Sequence, residues 1–173
     1  DRLIGDPSGK DESRKILSTK EINKNITSIK KVFQKFLKSK GKNKVIFVNN
    51  KNWLSNLNYI DFLRKYGKYF TINKMLTFDS VKNRLDREQS LSFLEFNYMI
   101  FQAYDFLILN EKQKVELQIG GSDQWGNIVN GVDLVKKVNN KEVYGLTTPL
   151  ILNSNGLKMG KTSEGAVWLD KNL

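Results

Sequence analysis

Residues 117–128 read LQIGGSDQWGNI. An apolar run stops at paired glycines, turns polar through Ser122, Asp123 and Gln124, and resumes at helical spacing. A buried strand that leaves through such a turn into a helix is the start of a crossover between parallel strands. In sheets of that kind ligands occupy the crevice beyond the carboxyl ends of the strands, which is where this turn falls. Gly120 and Gly121 remove side chains there, so another group can approach the backbone closely. Asp123 and Gln124 stand where the first N–H groups of a helix point outward. A bare turn followed by an N-cap aspartate fits the same residues. Gln118 inside the strand and Gln124 beyond it are the polar side chains such a turn does not need.

Outward from this stretch, the pattern predicts alternating helices and strands. Ser18 and Glu21 have capping-box spacing, and Ile22, Ile26, Ile29, Phe33 and Phe36 continue as a helical stripe that Gly41 ends. Residues 45–49, VIFVN, read as a strand and 49–54, NNKNWL, as a loop. An aromatic helical stretch over 59–76 is interrupted at Gly67, and a short helix starts at Asp79. Ser92 and Glu95 repeat the capping box before a long helix that ends near Asn110. KVELQI supplies the second strand, and LTTPLILNSNGLKMGKT a third, an Asn-Gly turn and a Lys/Gly loop. The whole reads as α/β with a mostly parallel sheet.

The totals narrow the chemistry. The chain has 173 residues, enough for one core, and a formal net charge of +11 from 29 Lys+Arg against 18 Asp+Glu. That excess suits a phosphate-rich partner, and scattered lysines also serve solubility. With no Cys and no His, disulfides, thiol or imidazole nucleophiles and the commonest metal ligands are excluded from these residues. No apolar run approaches the roughly 20 residues of a membrane span. A chain that opens on Asp1 and stops at AVWLDKNL reads as a segment of a longer protein.

Four further features bear chemistry. On the long helix Tyr98, Gln102 and Asp105 are spaced i, i+4, i+7 among apolar neighbours, so they share one face. Buried, that stripe suits a small molecule with an amine and a hydroxyl; otherwise it faces water. GDPSGK, residues 5–10, is chiefly a turn, yet Asp6 can accept from an ammonium, and Lys10 and Arg14 can meet phosphate. GLKMGKT, residues 156–162, brackets Met-Gly with Lys158 and Lys161 and adds Thr162, a set suited to polyphosphate. KKVFQKFLKSKGKNK, residues 30–44, resembles a nucleic-acid stripe and equally a solvated face.

Taken in order, LIGDPSGK, FNYMIFQAYDF, LQIGGSDQWGNI and KMGKTSEGAVWL resemble the bacterial and organellar tyrosyl-tRNA synthetases over essentially the whole chain. KMGKT looks like this branch's form of the class I KMSKS loop. The resemblance implies a Rossmann-like catalytic domain, spanning 1–173, with a helical insertion over about 50–92 that forms a homodimer. It implies a tyrosine site of Tyr98, Gln102, Asp105, Asp6, Gln118 and Gln124, with Asp105 on the phenol and Asp6 on the ammonium. Gly121 and Asp123 would hold the adenylate ribose. Lys158, Lys161 and Thr162 would bind the ATP phosphates, with Lys10 and Arg14 assisting in the transition state. L-tyrosine, ATP with Mg²⁺ and tRNA(Tyr) are the implied substrates, with no tightly bound cofactor, no metal ligands, no membrane partner and a cytoplasmic or organellar location. The HxGH motif, the first strand of the nucleotide fold and the anticodon-reading region of the family have no counterpart here. A segment without those flanks is expected to be inactive alone and to expose apolar surface along its sheet. A tryptophanyl-tRNA synthetase and a non-catalytic RNA-binding relative are the competing readings.

Overall fold

The second capping box forms as its spacing predicts. In a computed structural model that describes residues 17–153 with Gly156, Met159 and Leu169, the Glu95 N–H donates to the Ser92 hydroxyl at 3.2 Å. The Ser92 N–H donates back to the Glu95 carboxylate at 3.1 Å. Two otherwise orphaned donors are thereby satisfied, and α6, Phe93–Gln113, begins. It runs three residues past the expected end at Asn110. The Asn110 amide stays inside the helix and donates to the Val115 carbonyl at 2.9 Å, while Lys114 supplies the left-handed cap at φ 57°.

The predicted crossover follows. β1, Leu117–Gly121, leads through a 3₁₀ turn, Ser122–Gln124, into α7, Trp125–Asn139, and then β2, Tyr144–Thr148. β1 and β2 pair in parallel, in register from Leu117↔Tyr144 to Gly121↔Thr148. α7 covers one face of this pair so closely that a Cβ on Gly145 would stand 2.4 Å from Ile128 Cγ2. It also lies along α6, where a Cβ on Gly131 would meet Phe106 Cδ1 at 2.9 Å. Glycine at these two positions is therefore set by helix approach rather than by backbone angle. Met99, Phe106 and Leu107 of α6 bury against Leu134 and Val135 of α7 and Val143 beyond it. On the opposite face of the strands, Leu117, Ile119, Tyr144 and Leu146 are exposed, as expected for apolar surface along the sheet.

The upstream half is helical. α1, Thr19–Phe36, opens with the Ser18–Glu21 capping box and buries none of its residues. It stops five residues before Gly41, whose φ of +59° instead serves a tight bridge between Lys40 and Asn43. The strand expected at 45–49 does not form, and Ile46, Phe47 and Val48 are exposed. Among the described residues no strand pairs with it, and β-branched propensity alone does not make a strand. The expected loop at 49–54 contains α2, Lys51–Leu54. α3, Tyr59–Lys65, a 3₁₀ turn, Gly67–Tyr69, and α4, Ile72–Leu76, realise the interrupted helix; α5, Asp79–Asp86, starts where predicted. α3 docks on α6 through aromatic rings, Phe62 on Phe101 at 6.0 Å and edge-on to Tyr104 at 5.2 Å. Burial and the neighbouring Tyr66 phenol push Tyr104 up to about 12, so it stays neutral inside this cluster. Among the described residues no helix is long and apolar enough to cross a membrane.

Candidate functional site

The polar stripe of α6 does not face water. Tyr98 is only 5% exposed, and Gln102 and Asp105 are half-buried on the same side of the helix. Asp105 is held from two directions: its Oδ1 accepts from the Trp53 indole N–H at 2.6 Å and its Oδ2 from the Asn50 amide at 3.0 Å. Burial pushes its carboxyl above the ordinary aspartate value, and the two donors work against that rise. An ionised carboxylate has about four lone-pair positions, so two remain for an incoming hydroxyl. The arrangement is an oriented acceptor at one end of a buried stripe, with an amide, Gln102, one turn and a phenol, Tyr98, two turns before it.

The turn after β1 is as closely built. A Cβ on Gly121 would stand 2.7 Å from the Asp123 carboxylate and 2.9 Å from Leu150. One on Gly120 would meet Gln124 and Ile128, both at 3.1 Å. The Gly pair thus admits the chain's own turn and α7, which brings Asp123 and Gln124 back over the end of the strand. Expecting the glycines to open space for a ligand alone misses this packing. The Gln124 amide oxygen accepts from the buried Asn127 at 3.1 Å, which fixes its orientation. Gln118 lies on the same strand face as Gly120, and its amide oxygen is buried without a partner among the described residues. A buried acceptor of that kind costs roughly 1–3 kcal/mol unless something supplies a donor.

Asp6, Lys10, Arg14, Lys158, Lys161 and Thr162 lie outside the described residues. Around the last three, the described part of the Asn-Gly turn has the Gly156 N–H donating to Asn153 O at 3.0 Å, with φ +74° at Gly156. The Met159 N–H donates to Ile151 O at 2.8 Å, bringing the chain back beside residue 151.

Asn50 and Trp53 escape the sequence reading, because NNKNWL looks like an ordinary polar loop. The signal it carries is an indole N–H, a donor that needs an acceptor when buried, in an otherwise polar stretch. Glu95 is likewise more than a cap. It continues the stripe one turn before Tyr98, is 4% exposed, and pairs with Arg84 of α5 at 3.2 Å. Arg84 also donates to the Ser90 carbonyl. The stripe is therefore clamped at one end by α5 and at the other by residues in and beside α2. A separate cleft between the 3₁₀ turn at Gly67–Tyr69, α4 and α7, crossed by the Lys74–Asp133 ion pair, contains none of the expected site residues.

A profile described as "tRNA synthetases class I (W and Y)" matches residues 3–173. The tyrosine–tRNA ligase of Pelagibacter ubique (strain HTCC1062) is 70% identical over 169 residues, 97% of this chain and 41% of that protein. The tyrosine–tRNA ligase of Wolbachia pipientis subsp. Culex pipiens (strain wPip) is 61% identical over 98% of this chain and 41% of its own length. The chain therefore spans about two-fifths of these relatives. Among solved structures, a C-terminally truncated mitochondrial tyrosyl-tRNA synthetase from Aspergillus nidulans superposes with a TM-score of 0.76 at 30% identity, over 92% of this chain and 51% of that one. The corresponding Coccidioides posadasii protein gives 0.71 at 31% identity, over 97% and 50%. The β1–α7–β2 crossover with a helical insertion before it is the Rossmann-like fold of these proteins, and the chain belongs to the class I tRNA synthetases of the tryptophan and tyrosine branch.

Proposed function

We propose that the protein from which this chain comes is a tyrosine–tRNA ligase, which joins L-tyrosine to ATP as tyrosyl-adenylate and passes it to tRNA(Tyr). The observation that carries this reading is Asp105, a half-buried carboxylate oriented by Trp53 and Asn50 with acceptor capacity left over. A phenolic hydroxyl donates to it, and a substrate lacking that hydroxyl leaves the carboxylate underpartnered. Tyr98 and Gln102 line the same stripe for the rest of the amino acid. Asp6 receives the ammonium, Gln118 and Gln124 flank the substrate, and Gly121 and Asp123 take the ribose of the adenylate.

The reaction runs through position and charge. The tyrosine carboxylate attacks the α-phosphorus of ATP in line, its oxygen forms the new bond, and pyrophosphate leaves with the broken one. A ribose hydroxyl of the tRNA 3′ end then attacks the adenylate carbonyl and AMP departs. Neither step needs a covalent link to protein, so none of the residues assigned here has to be a Cys or His nucleophile. Lys158, Lys161, Thr162, Lys10 and Arg14 are assigned to charge developing on the phosphates. Mg²⁺ arrives as the counter-ion of ATP; among the described residues no group of three His, Cys, Asp or Glu side chains stands ready to cage it. Residues around 50–92 are assigned to a homodimer, and the enzyme to the cytoplasm or an organelle.

Calorimetric titration with L-tyrosine, with phenylalanine and tryptophan in parallel, tests the assignment. Selective tyrosine binding that Asp105→Asn weakens roughly 10- to 100-fold is the expected result. Equal binding of phenylalanine, or preference for tryptophan, retires it.

A further inference from the structure

The basic excess of this chain is not spread evenly. Residues 19–44 carry nine lysines against the single acid Glu21, which is already engaged in the α1 capping box, a net +8 of the chain's +11. On α1, Lys20, Lys24, Lys31 and Lys35 recur at steps of four, seven and four, so they fall on one face and extend over about 22 Å at 1.5 Å per residue. All four are exposed. The track does not stop with the helix. Lys38, Lys40, Lys42 and Lys44 follow in a folded knuckle: the Lys40 and Asn43 backbones exchange hydrogen bonds at 3.1 Å, Gly41 turns at φ +59°, and the Val45 N–H donates to the Ser39 hydroxyl at 3.1 Å. Alternate residues of that knuckle are cations, and each is exposed.

We propose that this stripe and knuckle form a track for the phosphate backbone of RNA, which on the reading above is the tRNA substrate. Like charges held this close repel one another, and a polyanion turns that cost into binding by releasing condensed counter-ions. A lipid surface is the rival polyanion, because α1 also exposes Ile26, Ile29, Phe33 and Phe36. Those residues lie on the face opposite the lysine stripe, and an interfacial helix has this same layout, so α1 by itself suits either polyanion. The knuckle decides for RNA: residues 38–44 extend the track with four exposed lysines and no apolar side chain to insert among lipid chains.

The test compares two variants of the full-length protein, Lys20→Gln/Lys24→Gln/Lys31→Gln/Lys35→Gln and Lys38→Gln/Lys40→Gln/Lys42→Gln/Lys44→Gln. A control, Lys82→Gln/Lys112→Gln/Lys136→Gln/Lys141→Gln, removes the same charge from exposed lysines elsewhere. Glutamine keeps the helix propensity, so the fold is not at stake. The probe is unfractionated tRNA, titrated from 50 to 300 mM salt. Each track variant is expected to reduce the slope of log K against log salt by about 3, at roughly 0.7–0.9 for each phosphate no longer neutralised, and to weaken binding at least tenfold. The control variant stays within about threefold of the unmodified protein. Equal losses in all three variants, or in none, overturn the track. So does loss of binding to phosphatidylglycerol vesicles with tRNA binding intact, which assigns the lysines to a membrane. Tyrosine-dependent exchange of pyrophosphate into ATP is measured on the unmodified preparation. Its absence, with the salt slopes as expected, retires the ligase reading and leaves the RNA track standing.

Discussion

Asp105 is the residue on which specificity turns. Asp105→Asn keeps the side-chain volume and removes the charge, so a phenolic hydroxyl loses a charge-assisted acceptor worth about 1.5–3 kcal/mol. Tyrosine affinity is expected to fall roughly 10- to 100-fold while phenylalanine binding barely changes, read by calorimetry. Trp53 and Asn50 set how acidic that carboxyl is. Burial raises it above the ordinary aspartate value, and the two donors oppose the rise. Tyrosine binding that uses the ionised carboxylate therefore weakens as pH falls through this elevated value. In Trp53→Phe the opposing indole donor is gone, and the acid limb of the binding profile moves to still higher pH. An acid limb at the same pH in both proteins would remove Trp53 from this role.

At the scale of elements, the phase of α6 is fixed at its first turn. Glu95 accepts from the Ser92 N–H and hydroxyl in a part-buried setting and from the buried Arg84 guanidinium. Burial alone would raise its carboxyl, yet the Ser92 bonds and the Arg84 guanidinium outweigh that and hold it below the ordinary glutamate value. Its contribution to stability is thus present above that ordinary value and is lost as pH falls below it through the folded one. Glu95→Ala leaves Arg84 buried without its counter-charge and removes the cap, a loss of about 3–5 kcal/mol in urea unfolding. Between roughly pH 5 and 3 the unmodified protein loses part of its margin over the variant. A margin that holds constant over that interval would mean the carboxylate is not what stabilises the helix start.

For the molecule as a whole, stability is concentrated in one place. α6, α7 and Val143 share the core, whereas α1 buries none of its residues. Isolated helices of this length are marginal in water, so packing decides which amides are protected. Hydrogen exchange of the 173-residue chain is expected to be slowest along α6 and α7 and fast throughout α1. Protection of α1 equal to that of α6 would show a packing surface that the described residues do not contain.

The sequence by itself determined what depends on local spacing. Both capping boxes, the break at Gly67, the strand–turn–helix of LQIGGSDQWGNI and the shared face of Tyr98, Gln102 and Asp105 follow from periodicity and turn chemistry over a few residues. Only the tertiary structure decided whether that face is buried, because a helical stripe is the same pattern in water and in a core. The same limit explains the misread strand at 45–49, since a strand needs a partner that local sequence does not name. It explains the Gly pair, whose close neighbours are Asp123, Gln124, Ile128 and Leu150. The clamp on Asp105 was the least legible part: Asn50 and Trp53 reach it across more than fifty residues of chain, and pairings at that separation are fixed by packing.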